Sequence, residues 1–198
     1  TKLVTSCYYL TLHLLSSGFA SSFERNQRWT IRQFFNIKMK MKKKINCFIP
    51  FGTPEDTMQT VKELQVSELV NKIYLLGSEP GKKALPGCEY LSVKGFYSTD
   101  TMKTIAANAN TEYTQFYLKQ TPLKLGLYAL ERMVQIMEND KKNGIVYADH
   151  YQLINGELKQ APVIDYQLGS VRDDFDFGSM LLFSSSAFTK IADALREE

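Results

Sequence analysis

The sequence predicts an α/β domain with a mainly parallel central sheet that is covered by helices on both faces. From Ile45 onward, short apolar and β-prone runs alternate with longer helix-like segments. Strands separated by helices pair in parallel, because a parallel connection needs a long crossover. The composition agrees, since 44% of the residues are hydrophobic and 23% are charged, as in ordinary globular domains. A chain of 198 residues has room for one such core.

Turn and cap residues mark the boundaries of the elements. Ile45–Phe51 is an apolar strand closed by Pro50 and Gly52, and Thr53 can cap a helix over residues 54–69, with proline at its first position. The remaining elements follow the same logic. The predicted strands are residues 72–76, 88–93, 114–118, 145–148 and 179–183, the predicted helices are residues 99–110, 123–143 and 186–195, and residues 151–154 enter a hairpin around Asn155-Gly156.

The start of the chain differs in charge from the rest. Residues 1–44 hold nine Lys or Arg and one acid, a charge of +8, whereas the other residues hold 15 basic and 20 acidic side chains, a charge of −5. The overall charge therefore describes neither part, and we expect no nucleic-acid partner. We predict a leader over residues 1–40 and a folded domain over residues 41–198. A signal or transit peptide is the alternative for the leader.

Composition also limits the location and the chemistry. Cys7, Cys47 and Cys88 show no paired or metal-type spacing, which favours a cytoplasmic setting. Two histidines are too few for a histidine-based metal site, and no apolar run reaches the roughly 18 residues that span a bilayer. The lysines of residues 38–44 suit peripheral contact with anionic lipid, although lysines before a first buried strand are more often a solvated lead-in.

Several stretches, taken in order and spacing, resemble family-2 glycosyltransferases. Ile45–Pro50 resembles the family's first strand, which ends in Pro beneath the nucleotide, and Tyr166–Gly178 (YQLGSVRDDFDFG) looks like a signature of a bacterial subgroup. The other similar stretches lead into and follow the family's Asp-X-Asp metal motif. They are residues 105–118, 123–134, 144–156 and 178–191. The resemblance covers about residues 45–198 and implies the GT-A fold of nucleotide-diphospho-sugar transferases.

The resemblance implies that a sugar moves from a nucleotide-diphosphate donor to a saccharide or lipid-linked acceptor, in polysaccharide biosynthesis at the inner membrane face. Most members neutralise the diphosphate with Mg²⁺ or Mn²⁺ on Asp-X-Asp carboxylates, and an acidic residue deprotonates the acceptor hydroxyl. Carried onto this sequence, the implied roles fall into two groups. The expected donor-binding residues are Pro50, Phe51, Gly77, Ser78, Lys119, Thr121, Asp149 and Arg172, and the expected catalytic residues are Asp173, Asp174 and Asp176.

The sequence departs from the family at the metal motif. Leu118-Lys119-Gln120-Thr121 stands where Asp-X-Asp is expected, and residues 113–130 contain no carboxylate. Two interpretations stay open, and the metal ligands are unknown in both. Lys119 replaces the metal by pairing with the diphosphate, or it is an ordinary exposed lysine on a domain that has lost catalysis.

The acidic residues also have two interpretations each. Arg172, Asp173, Asp174 and Asp176 form the most concentrated polar cluster of the chain, which suits acceptor, metal or base roles. A loop whose acids cap turns is the structural alternative. Asp149, which follows a predicted strand, is either a site residue at the sheet edge or a turn-capping residue.

Two other classes of protein remain as alternatives. A non-catalytic binding or scaffold module of the same fold is favoured by the missing Asp-X-Asp motif. A nucleotidyltransferase of the related fold is disfavoured, because those enzymes carry a Gly-rich loop with Arg and Lys after the first strand, whereas residues 51–55 read FGTPE. The sequence ends at Glu198, near the family's acceptor-side helix, and so we expect an incomplete acceptor half.

Overall fold

The computed structural model describes residues 43–79, 85–163 and 176–195. The chain divides into two units, and all described residues except Asp176 belong to the unit made of Lys43–Val163 and Phe177–Glu198. Asp176 belongs to the other unit, Thr1–Lys42 with Ile164–Asp176. The predicted leader and the predicted site residues Arg172, Asp173 and Asp174 lie outside the described residues. The domain boundary at residue 41 therefore stays a prediction.

The described residues form alternating strands and helices. The strands are β1 (Ile45–Pro50), β2 (Val70–Gly77), β3 (Glu89–Ser92), β4 (Tyr113–Tyr117), β5 (Ile145–Tyr147), β6 (His150–Ile154), β7 (Glu157–Ala161) and β8 (Met180–Ser184), and the helices are α1 (Pro54–Gln65), α2 (Thr99–Asn108), α3 (Ala129–Asn139) and α4 (Ser185–Ala194). Within these ranges, no helix has both the length and the apolar character needed to cross a membrane.

Six strands form the central sheet in the order β3-β2-β1-β4-β8-β5. The pairs β1–β2, β2–β3 and β1–β4 are parallel. Strand β8 is antiparallel to both β4 and β5, so β5 points in the same direction as the parallel strands. The predicted α/β class with a mainly parallel sheet is confirmed.

An aromatic core fills one face of the sheet. Phe48 of β1 stacks on Tyr74 of β2 and on Phe116 of β4, with ring centroids 4.8 and 5.9 Å apart. Ile105 of α2 and Phe188 of α4 belong to the same buried cluster. Helices α2 and α4 therefore cover this face, and burial of these large rings is a main stabilising contribution.

The other face of the sheet carries the alternate strand residues, such as Cys47 and Ile49, which are fully buried. Helix α1 contacts β2, and α3 contacts β5 and β8. The buried side of α3 is apolar and includes Met133, whereas the buried side of α1 combines Val61 and Leu64 with two threonines, Thr57 and Thr60. Helices thus cover both faces, as the sequence predicts.

The two described cysteines are free and differ in burial. Burial raises the pKa of the Cys47 thiol far above its usual range. It raises the pKa of Cys88 to about 11. Both thiols are therefore protonated and weakly nucleophilic near neutral pH.

The sequence prediction for the helix after β1 is too long. Helix α1 ends at Gln65, and Leu69 lies next to β2 instead of in the predicted helix over 54–69. The carbonyl of Leu69 accepts hydrogen bonds from the amides of Lys44 and Ile45. These bonds begin the contact between β1 and β2. Pairing with β1 therefore outweighs the apolar spacing that predicted a longer helix.

The predicted helix over residues 123–143 starts six residues too early and ends four too late, because α3 covers Ala129–Asn139. The amide of Leu123 donates to Thr60 Oγ1 at 3.0 Å, and the amide of Leu125 donates to Glu63 Oε1 at 2.9 Å. Both acceptors are side chains of α1. The backbone amides of Leu123 and Leu125 are therefore bonded to a neighbouring helix and not within a helical turn of their own segment.

The hairpin of β6 and β7 is confirmed. Asn155 and Gly156 both have positive φ angles, 52° and 82°, as a two-residue type I′ turn requires. This short ribbon forms a separate two-stranded sheet, and the residues of β6 and β7 are mostly exposed.

A buried asparagine joins three elements at the amino edge of the sheet. The side-chain amide of Asn46 donates to the Asn108 carbonyl and to Asn110 Oδ1, and Asn46 Oδ1 accepts from Asn71 Nδ2. Asn46 is fully buried, and its polar atoms are satisfied, as burial requires. These bonds tie β1, β2 and the end of α2 together, a role that the sequence alone does not reveal.

Gln115, which is fully buried in β4, provides a stability test of the core. Among the described residues, neither polar atom of its side chain has a hydrogen-bond partner, and an unsatisfied buried group costs about 1–3 kcal/mol. Because Met has a similar length and no such group, we expect Gln115→Met to raise the free energy of unfolding by about 1 kcal/mol, measured by urea denaturation.

The neighbouring residue supplies the control. Thr114 is equally buried, but its hydroxyl bonds the Ser185 hydroxyl at 2.8 Å. Thr114→Val should therefore lower the free energy of unfolding by about 1 kcal/mol. A destabilised Gln115→Met variant would contradict the assignment of Gln115 as an unsatisfied group.

Candidate functional site

The carboxyl ends of the parallel strands meet at one edge of the sheet, which we call the carboxyl edge. Strands β2 and β3 lie to one side of β1, and β4 lies to the other. The chain order therefore reverses between β1 and β4. In open α/β sheets, ligands bind in the crevice that this reversal opens at the carboxyl edge, which makes the β1–β4 crevice the candidate site.

The loops that follow β1 and β4 contact each other in this crevice. Gln120 Nε2 donates to the Phe51 carbonyl at 3.3 Å. A Cβ atom at Gly52 would lie 3.0 Å from the Gln120 carbonyl oxygen, so glycine permits the close approach of the two loops. The sequence prediction included Phe51 and missed Gln120.

Tyr117, the last residue of β4, forms hydrogen bonds with the loop that follows β4. Its hydroxyl donates to the Thr121 carbonyl at 3.0 Å and lies 3.3 Å from Thr121 Oγ1. Burial raises the pKa of the Tyr117 phenol, and the hydrogen bond to Thr121 opposes this shift only in part. The phenol is therefore neutral near pH 7 and remains a donor to Thr121, a predicted donor-binding residue.

Lys119 lies directly after the last strand contact of β4. The amide of Leu118 donates to the Ser179 carbonyl at 2.8 Å, and Lys119 follows as an exposed residue. Within the described ranges, Lys44, Lys72 and Lys94 form ion pairs with carboxylates, whereas Lys119 forms none there. Its ammonium is thus available to an anionic ligand.

Two aromatic rings meet across β2 on the β1 side of the crevice. Phe51 follows β1, Tyr90 lies on β3, and their ring centroids are 5.9 Å apart at an interplanar angle of 73°. Gly77 of β2 lies between them. A Cβ atom at this position would lie 2.2 Å from the Tyr90 hydroxyl oxygen, so the two rings approach each other only because residue 77 has no side chain.

The other predicted site residues lie partly at the carboxyl edge and partly elsewhere in the chain. Pro50 ends β1 and Ser78 follows β2, so both lie at the carboxyl edge with Phe51, Gly77, Lys119 and Thr121. Asp149 follows β5, and its Oδ1 accepts a hydrogen bond from the Val163 amide at 2.7 Å, which closes the base of the hairpin. Asp176 is exposed and belongs to the second unit. The roles of Asp149 and Asp176 remain predictions.

The described residues do not fit a divalent cation at this edge. They contain no group of three or more His, Cys, Asp or Glu side chains that could hold a metal ion. The β4 loop supplies Lys119 where the resemblance expects carboxylates. A lysine next to the crevice repels a cation, so this part of the chain suits a site whose positive charge comes from a side chain.

Tyr90 is the site residue that the sequence analysis missed most clearly. It lies in the predicted third strand, and the spacing of apolar residues gives no reason to place it beside Gly77. Because Gly77 and Tyr90 belong to neighbouring strands whose register pairs Gly77 with Ser92, only the pairing reveals the contact. The Gly-Ser that ends β2 was the available signal of an unusual strand end.

A surface depression lies further along the same edge, beyond β3. It has a volume of about 360 Å³ and is lined mainly by polar residues, including Ser92, Lys94, Asp100 and Lys103. Lys94 pairs with Asp100 at 3.1 Å. The depression does not include any residue of the β1–β4 crevice, so we do not place the candidate site there.

No protein family profile matches the chain, and no curated protein is similar to it in sequence. The solved structures that are similar include the crystal structure of 2-C-methyl-D-erythritol 4-phosphate cytidylyltransferase from Thermus thermophilus. The two chains are 9% identical with a TM-score of 0.45, over 78% of this chain and 80% of that one. A similarity of this size does not assign a reaction to the chain.

The contact of Gly77 with Tyr90 predicts strong coupling between the two positions. Gly77→Ala would push the phenol away and should lower the free energy of unfolding by about 1–3 kcal/mol. Tyr90→Phe removes the nearest atom, so the double variant should recover about 1 kcal/mol relative to additive effects. Chemical denaturation of the four proteins measures this coupling.

Gly126→Ala is the matched control, because a Cβ atom there meets nothing within 4 Å. It should change the free energy of unfolding by less than about 0.5 kcal/mol. Additive effects of the changes at positions 77 and 90 would show that the two side chains do not meet in solution.

Proposed function

We propose that this chain binds a nucleotide-diphosphate sugar in the β1–β4 crevice and transfers the sugar to a hydroxyl group of a saccharide or lipid-linked acceptor. The observation that carries the proposal is the exposed Lys119, which lies at the strand-order reversal without a carboxylate partner in the described part of the chain. The resemblance of residues 45–198 to family-2 glycosyltransferases supports the choice of donor.

Lys119 binds the diphosphate in this proposal. A nucleotide-diphosphate leaving group carries concentrated negative charge, and an ammonium forms charge-assisted hydrogen bonds with phosphate oxygens. As the bond between the anomeric carbon and the diphosphate oxygen breaks, the lysine stabilises the charge that develops on the leaving group. Mg²⁺ or Mn²⁺ would perform this task with an Asp-X-Asp motif, but the described residues do not offer that ligand set.

The nucleobase lies beside Phe51 in this proposal. The Phe51 ring packs edge to face with Tyr90, which fixes its orientation, and both residues are only partly buried. A fixed aromatic ring at the rim of a polar crevice suits the flat face of a base. Gly77 keeps this arrangement by leaving room for the phenol.

The acceptor side of the proposal rests on the acidic cluster. One carboxylate among Asp173, Asp174 and Asp176 removes the proton of the acceptor hydroxyl, whose oxygen then forms the bond to the anomeric carbon. Arg172 contacts phosphate or orients a carboxylate. Asp149, which follows β5 and whose carboxylate accepts from the Val163 amide, is a donor-binding residue in this proposal.

Thermal stabilisation by nucleotides tests the donor site. The full chain is heated with nucleoside diphosphates, nucleotide sugars and nucleoside triphosphates, with and without Mg²⁺ or Mn²⁺. A donor at roughly a hundred times its Kd should add about 2.7 kcal/mol. In a domain of this size each kcal/mol raises Tm by roughly 2–4 °C. We expect a shift with one nucleotide sugar that does not depend on metal and disappears in Lys119→Ala.

Lys124→Ala is the control, because Lys124 is an exposed lysine of the same loop next to α1, and it should leave the shift unchanged. No shift with any nucleotide, in a cooperatively melting protein, would favour the non-catalytic scaffold. A shift with a nucleoside triphosphate alone would favour nucleotidyl transfer. Release of labelled sugar from the donor then separates an enzyme from a binding module.

A further inference from the structure

Tyr117 is a buried residue at the carboxyl end of β4 whose hydroxyl is not needed to fill the core. The residue is 5% exposed, and a phenylalanine would occupy the same apolar space. The hydroxyl instead donates to the Thr121 carbonyl at 3.0 Å, four residues further along the chain. This bond closes a short loop of three residues, Leu118, Lys119 and Gln120, in which Lys119 is the central one.

Two further contacts hold the residues on either side of Lys119. The Leu118 amide donates to the Ser179 carbonyl at 2.8 Å, which extends the pairing of β4 with β8 by one residue. Gln120 Nε2 donates to the Phe51 carbonyl at 3.3 Å. The chain is therefore anchored before and after Lys119, while Lys119 itself is exposed.

The bond of Tyr117 is the stronger anchor of the chain after Lys119. The contact of Gln120 is exposed, so water competes for both of its partners. The bond from Tyr117 to Thr121 is partly buried, where water competes less. Burial also raises the pKa of the phenol, although the hydrogen bond to Thr121 lowers it, so near pH 7 the hydroxyl keeps the proton that this bond requires.

We propose that Tyr117 is a positioning residue that holds Lys119 where its ammonium binds the diphosphate of the nucleotide-sugar donor. The inference rests on the proposed function, because it assigns a role within the same site. A residue whose backbone is already fixed loses less conformational freedom when its ligand binds. The Tyr117 hydroxyl acts through Lys119 in this way, since it is itself engaged with Thr121 and not with the ligand.

Binding of inorganic pyrophosphate to the full chain, measured by calorimetry without divalent metal, tests this role. Pyrophosphate presents the diphosphate without a base or a sugar, so its affinity reports the Lys119 end of the crevice. We expect Tyr117→Phe to raise the Kd about tenfold, which corresponds to the cost of ordering the backbone of one residue on binding. Lys119→Ala should abolish measurable binding.

Amide order parameters from nuclear magnetic resonance provide a second readout, which needs no ligand. In the unchanged chain, the amides of Lys119 and Gln120 should have values near those of rigid backbone, about 0.85, and in Tyr117→Phe they should fall towards about 0.6. Saturating pyrophosphate should restore the higher values in this variant, because the ligand then orders the loop. Order parameters that do not change in Tyr117→Phe would overturn the proposal.

Two variants of the same strand are the matched controls. Tyr113→Phe makes the same substitution at the amino end of β4, and Thr114→Val removes a buried hydrogen bond to Ser185. Both should leave the Kd for pyrophosphate and the order parameters of the loop unchanged. An equal rise in Kd in either control would show a general effect of loosening β4 and would overturn the positioning role.

The inference and the proposed function fail in different ways. If Lys119→Ala abolishes pyrophosphate binding while Tyr117→Phe binds it like the unchanged chain, the donor site stands and the positioning role is wrong. If the unchanged chain binds neither pyrophosphate nor any nucleotide, the donor site is wrong and the positioning role is overturned with it.

Discussion

Strand β1 pairs in parallel with β2 on one side and β4 on the other, and both of its faces are buried beneath helices. Phe48 lies at the centre of the aromatic stack on one face, while Cys47 and Ile49 fill the other. At the amino end of the strand, Asn46 satisfies donors and acceptors from two further elements. The order in which the chain adds strands reverses between β1 and β4, and the carboxyl end of β1 lies at the crevice that this reversal opens. The position of β1 therefore fixes both the core and the crevice, because the chain adds β2 and β3 on one side of this strand and β4 on the other.

Local sequence patterns predict the boundaries of those elements that are determined by residues close together in the chain. The proline and threonine that begin α1 and the Asn155-Gly156 turn act within a few residues, so these boundaries follow from the sequence. The start of α3 does not, because Thr60 and Glu63 on another helix take the amides of Leu123 and Leu125. The same holds for Asn46, whose partners lie 25 to 64 positions away. The start of α3 and the hydrogen bonds of Asn46 therefore depend on tertiary contacts.

The candidate site shows the same division. Pro50, Gly77 and the polar run after β4 mark the ends of their strands in the sequence. Because these strands are parallel, their carboxyl ends lie at one edge of the sheet. The contact of Phe51 with Tyr90 depends on strand order, because the two rings meet across β2. The resemblance supplied an expected carboxylate pair after β4, but the chain itself has lysine there. The metal-binding pattern of the family therefore does not carry over to the loop after β4, whose charged side chains are Lys119 and Lys124.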